Sequence, residues 1–266
     1  MQLHSLAYKS SVIHYYVFGK GAKTLFCFHG YGEDGLSFAF LEDILGADYT
    51  LYALDFPFHG KTQWNEKEPF IPADLIAVLQ LIHPYDKIKF SLLAYSMGGR
   101  AALHLVHEVP KQIDQVALIA PDGLHQNIWY WLTTQTSFGN KLFAYTMKNP
   151  QWFFSATDAG GKLKILNKSI LKFVHYYLDD KEQRTLLYKR WTFMRKLKPN
   201  LQTIKKLSIE KNIKLGFLFG EFDRIILSKR ARIFENTKNI RIRVINAGHQ
   251  LMKEKYANEI VALLNH

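Results

Sequence analysis

The sequence predicts an α/β protein: a mostly parallel sheet flanked by helices, with an inserted helical block. Three observations carry this. Strand-length apolar runs alternate with helix-length amphipathic segments, first up to residue 120 and again over 213–264. Residues 24–28 form a near-continuous apolar run, as expected of a strand buried on both faces. Between 124 and about 206 the alternation fails, leaving helical stretches and no clear buried strand.

In order, residues 3–8 and 11–18 read as two short strands, the second broken by Gly19-Lys20-Gly21. The strand 24–28 ends at His29-Gly30-Tyr31-Gly32-Glu33-Asp34, and a helix follows to about Leu45. Strand 49–54 ends at Asp55-Phe56-Pro57-Phe58-His59-Gly60, and a helix over 72–82 leads to strand 88–94. A helix over 101–109 puts Ala102, Leu105, Val106 and Val109 on one face. Strand 116–120 stops at Pro121-Asp122-Gly123. After the helical block come strand 213–219, helix 229–235, strand 240–245 and helix 253–264. The organisation is a core of residues 1–123 and 207–266 carrying a helical cap over 124–206.

At 266 residues the chain can bury a substantial core. No apolar run is long enough to span a membrane, and the first residues lack a basic segment followed by an apolar block, so no secretory signal is expected. The single cysteine, Cys27, lies inside an apolar strand, which excludes an internal disulfide and reads as a buried structural thiol. A reducing, cytoplasmic setting is expected. The formal charge of +12 is concentrated: residues 123–211 hold 16 Lys or Arg against 5 Asp or Glu, which leaves +1 for the rest. In that segment the basic residues stand singly among apolar ones and aromatics such as Trp129, Trp131, Trp152, Tyr176, Tyr177 and Trp191; Lys162-Leu163-Lys164-Ile165-Leu166-Asn167-Lys168 is one example. Such spacing suits amphipathic helices with solvated basic faces and argues against nucleic acid as a partner. Attraction of an anionic substrate or contact with an acidic membrane surface are the functional readings. No His and carboxylate pair at helix ligand spacing falls within a convincing strand-end cluster, and no Gly-rich phosphate loop is present, so neither metal nor cofactor is expected.

The densest chemical signal is Ala94-Tyr95-Ser96-Met97-Gly98, a serine turned within a few residues from a strand into a helix. There the hydroxyl stands at a sheet end, beside N–H groups without intrahelical partners. Serine needs a base, and the base an acid to orient it. Strand ends supply candidates: Asp223 in Gly220-Glu221-Phe222-Asp223, with Glu221 as a rival acid, and His249 in Asn246-Ala247-Gly248-His249.

These motifs resemble the α/β-hydrolase family over residues 12–123 and 213–264. Its nucleophile elbow is Gly-x-Ser-x-Gly, with Ala94 here in the first glycine's place, and its acid follows a Gly-x-x-Asp spacing, which favours Asp223. The resemblance implies a serine hydrolase with a Ser96–His249–Asp223 triad. It also implies an oxyanion hole from the N–H groups of Met97 and Tyr31, and a structural role for His29. Asp55-Phe56-Pro57-Phe58-His59-Gly60 resembles the family's Asp-x-Pro-Gly-x-Gly turn, with Phe58 where glycine is usual. The expected reaction is cleavage of a carboxylic ester or thioester through an acyl-enzyme; serine at position 96 argues against the branches that use aspartate there. The expected substrate is a small molecule with an apolar acyl or aromatic part, with an anionic group suited to the basic cap. Carbon–carbon bond cleavage on the same triad, or ligand binding without turnover, are the alternatives.

Overall fold

A computed structural model describes residues 1–84, 89–125, 127–162 and 178–264, with the side chains of 158–162 left out. Ile88, Tyr176, Tyr177 and the lysine run beyond Lys162 therefore lie outside the described residues. Two compact units are present: Met1–His125 with Lys196–His266, and Gln126–Arg195.

The first unit is built on a sheet of eight strands among the described residues: β1 (Gln2–Tyr8), β2 (Ser11–Phe18), β3 (Lys23–Phe28), β4 (Tyr49–Leu54), β5 (Phe90–Tyr95), β6 (Ile113–Ile119), β7 (Lys214–Gly220) and β8 (Ile240–Ile245). Their order is β1-β2-β4-β3-β5-β6-β7-β8. Pairs β1–β2 and β2–β4 are antiparallel and the remaining five are parallel. The composition explains the middle of the sheet. Every residue of β5 is buried, as are β3 after Lys23 and β7 after Lys214, so neither face of these strands meets water. No residue of β8, the edge strand, is fully buried. Its exposed Arg241 and Arg243 keep that edge charged.

Helices α1 (Glu42–Leu45), α2 (Pro72–Ile82) and α3 (Gly98–Glu108) connect the parallel strands. Pro72 fits the first turn of α2, where its missing N–H is not needed, and the Asp74 carboxylate accepts from the Ile71 N–H at 2.9 Å. Helix α3 starts at Gly98, three residues before the position expected from apolar spacing. The elbow turns straight into it, and both glycines fit where a side chain would not: a Cβ at Gly98 would stand 2.2 Å from the Phe28 carbonyl oxygen.

In the second unit, helices α4 (Ile128–Gln135), α5 (Ser137–Lys148), α6 (Gln151–Lys162) and α7 (Lys181–Phe193) are described. Its interior joins Tyr130, Phe143, Tyr188 and Trp191, with ring centroids 5.3–5.7 Å apart. Arg184 is buried there and satisfied by carbonyls: its Nε donates to Met147 O at 3.0 Å and Nη1 to Asp179 O at 2.9 Å and to Leu178 O.

Helix α8 (Leu201–Glu210) belongs to the first unit, although the sequence reading begins the core at 207. Ile204 and Ser208 are fully buried, and the Asn239 side chain donates to Ser208 O at 2.7 Å. Residues 229–235, expected as a helix, are a 3₁₀ stretch, Ser228–Phe234. The last helix is shorter than expected, with one 3₁₀ turn before α9 (Ala257–Val261). Both 3₁₀ stretches are short connectors: Ser228–Phe234 buries only Ala231 and Phe234, and the turn before α9 buries none of its residues.

Candidate active site

Four strands end on the site. β5 delivers Ser96, β7 delivers Asp223, β8 delivers His249, and β3 delivers the turn 29–35. Because β3, β5, β6, β7 and β8 run parallel, their carboxyl ends share one edge of the sheet.

Ser96 has φ +47, a left-handed conformation that costs a non-glycine residue about 1–2 kcal/mol. Three backbone bonds hold it there: the Ser96 N–H donates to Ile119 O at 2.9 Å, and Ser96 O accepts from Gly99 at 2.9 Å and Asp122 at 2.8 Å. The hydroxyl oxygen lies 3.1 Å from His249 Nε2. His249 Nδ1 lies 2.8 Å from Asp223 Oδ2. Asp223 is only 3% exposed, and its second oxygen accepts from the Ile225 and Ile226 N–H groups at 2.7 and 2.9 Å. With both oxygens occupied, the carboxylate is fixed in orientation.

The acid and base loops are laced together. The Glu221 N–H donates to Ile245 O at 2.8 Å and the Phe222 N–H to Ala247 O at 2.9 Å. A Cβ on Gly220 would meet Gly248 O at 2.3 Å, so glycine is required for this approach. Glu221 itself is exposed, and the carboxylate seated on His249 is that of Asp223.

His29 is buried and used in the turn. The Phe56 N–H donates to its Nε2 at 3.1 Å, which leaves Nδ1–H to donate to Gly30 O at 2.7 Å. Tyr31 and Met97 occupy the positions expected of the oxyanion donors, Tyr31 in the turn after β3 and Met97 as N-cap of α3; both are half-buried. Phe58 adopts φ +62, the backbone region glycine would favour in its place. The nearby Asp55 carboxylate latches two loops by accepting from Gly35 N–H at 2.8 Å and Lys61 N–H at 2.9 Å.

Two residues beside the site carry no role in the sequence reading. Tyr95 donates its hydroxyl to His249 O at 3.2 Å. Glu33 is half-buried and accepts from the Gly30 N–H at 3.3 Å; burial pushes its carboxyl up, against the hydrogen bonds from Gly30 and Ser37 and the nearby His249. The signal available for Tyr95 was its place inside the elbow, one residue before the serine. Among the described residues no cluster of three or more His, Cys, Asp or Glu could hold a metal ion, and no described helix is long and apolar enough to cross a membrane.

A family model described as alpha/beta hydrolase fold matches residues 23–210, and the chain belongs to that family. Among curated proteins it is 31% identical over 110 residues to the dihydrolipoyllysine-residue acetyltransferase component of an acetoin cleaving system from Pseudomonas putida, covering 41% of this chain and 30% of that protein. A serine hydrolase-like protein from Danio rerio is 24% identical over 205 residues, 71% of this chain and 60% of that one. The chain thus spans less than two thirds of the length of either relative. Among solved structures, the enol-lactonase from Burkholderia xenovorans LB400 superposes with a TM-score of 0.67 at 14% identity, covering 99% of this chain and 100% of that one. At that identity the likeness speaks for the fold alone.

Proposed function

We propose that this chain is a serine hydrolase cleaving a carboxylic ester or thioester through an acyl-enzyme on Ser96. The observation that carries the reading is the unbroken relay from the Ser96 hydroxyl through His249 to buried Asp223, built on a strained elbow. In this mechanism His249 Nε2 takes the Ser96 proton as Oγ forms its bond to the substrate carbonyl carbon. The resulting oxyanion is held by the N–H groups of Met97 and Tyr31. His249 then gives the proton to the departing alkoxide or thiolate, and the carbon–leaving group bond breaks. Water, losing its proton to His249, attacks the acyl-enzyme; collapse releases the acid and returns the proton to Ser96. Asp223 holds the imidazole tautomer and stabilises the imidazolium without itself being protonated.

The substrate in this reading has an apolar acyl or aromatic part, and an anionic group suits the basic excess over residues 123–211. A reducing, cytoplasmic setting suits Cys27, which is buried and whose thiol burial pushes well up.

A fluorophosphonate serine probe tests the reading. Labelling of the native chain that disappears in both Ser96→Ala and His249→Ala is expected, together with turnover of a simple thioester or ester. Folded native protein that resists labelling and turns over neither would overturn it in favour of ligand binding without chemistry.

A further inference from the structure

The aromatic residues of the second unit range from packed to open. Tyr130, Phe143, Tyr188 and Trp191 pack with one another, but Trp129 is 70% exposed and Phe138 79% exposed. Open apolar side chains gathered on one face, unlike ones scattered singly, mark an interaction surface. On α5 the exposed positions after Ser137 are Phe138, Lys141, Leu142, Tyr145 and Lys148, at successive spacings of three, one, three and three residues. These fall on one helical face, and that face mixes apolar residues with lysines instead of separating them. Trp129 stands on the adjoining helix α4, whose end packs tightly on α5 at Gly139, where a Cβ would meet Leu132 O at 2.0 Å.

The mixture discriminates among occupants. A dry apolar partner would have to bury two ammonium groups without counter-charge, which is costly. A second copy of the unit would bring like charge, since residues 126–195 hold 11 Lys or Arg against 4 Asp or Glu. An anionic lipid surface meets both needs. Phe, Leu and the Trp ring enter the acyl boundary, Tyr and Trp keep their polar atoms at headgroup level, and lysine stems extend to the phosphates.

We propose that the outward face of α5, with Trp129 of α4, docks the protein on an anionic bilayer surface. This stands apart from the chemistry at Ser96. Attachment is peripheral and reversible, and it weakens as salt screens the lysines.

The test is co-sedimentation with vesicles of phosphatidylcholine alone or mixed with phosphatidylserine. Binding is expected to the mixed vesicles, weak or none to phosphatidylcholine alone, and decreasing with added salt. Lys141→Ala with Lys148→Ala should weaken binding about 30-fold. Trp129→Ser with Phe138→Ser should weaken it at least about 10-fold at unchanged salt dependence. All four residues are exposed, and circular dichroism should show every variant folded. No binding to mixed vesicles by the native chain, or binding that neither pair of substitutions reduces, would overturn the proposal. So would capture by polyglutamate without capture by vesicles, which would assign the face to an acidic polypeptide.

Discussion

The Tyr95 hydroxyl donates to the backbone carbonyl of His249 at 3.2 Å, joining the residue before the candidate nucleophile to the candidate base 154 positions away. Their rings lie 5.6 Å apart, and the Tyr95 ring also fills the space where a Gly30 side chain would stand. Burial, reinforced by the charges of Glu33 and Asp223, pushes the hydroxyl up, so it stays protonated and donates across the working pH range. Removing it with Tyr95→Phe should cost about 1 kcal/mol of stability. It should also slow fluorophosphonate labelling of Ser96 several-fold, by freeing the His249 loop. Melting curves and labelling rates measured together check this; a lower melting temperature with unchanged labelling would show an anchor for the fold only.

Asp223→Asn keeps the shape of the acid but loses the charge and allows the wrong imidazole tautomer. Turnover should fall by about 10³–10⁴-fold, with little change in KM. The two N–H groups of Ile225 and Ile226 can still reach the remaining amide oxygen, so the variant should stay folded. Steady-state kinetics on an ester substrate make the measurement, with Glu221→Gln as a comparison expected to be near native because Glu221 is exposed.

Glu33 gives a pH-dependent prediction. Its folded-state carboxyl is raised by desolvation, so ionising it costs more in the folded chain than in the unfolded one. The contribution to stability is therefore fully present below the ordinary carboxylate value of 4.5 and is lost as pH rises through the raised one. Glu33→Gln keeps an acceptor for the Gly30 N–H and removes that loss. The variant should melt higher than the native chain at pH 7, and the difference should vanish toward pH 4. An equal difference at both values would refute the argument.

Two glycines beside the site differ in what they tolerate. At Gly98 an added Cβ meets backbone at 2.2 Å, and the strand and helix of the elbow must separate to admit it. Gly98→Ala should cost more than about 2 kcal/mol and abolish labelling of Ser96. At Gly248, one residue before His249, nothing lies within 4 Å of the same added atom. Gly248→Ala should therefore leave stability within about 0.5 kcal/mol of the native chain. Urea unfolding of both variants checks the pair.

Much of the core was legible in the chain because its signals are local. The buried runs of β3, β5 and β7, the tight Ala94-to-Gly98 turn, and residues of suitable chemistry just past strand ends can each be read within a dozen positions. That is why Ser96, Asp223 and His249 could be named together, and why the family could be recognised from spacing. Tertiary structure decided what depends on distant partners. Asp223 and Glu221 are both carboxylates past the end of β7; spacing by resemblance favours Asp223, and the packed loops seat its carboxylate 2.8 Å from His249 Nδ1. Helix α8 reads like its helical neighbours in sequence, yet buries Ile204 and Ser208 in the first unit. Tyr95 and Glu33 acquire their surroundings from loops brought in by other strands. Periodicity records which face of an element is apolar; only the packed chain determines what that face, or a polar group at its end, meets.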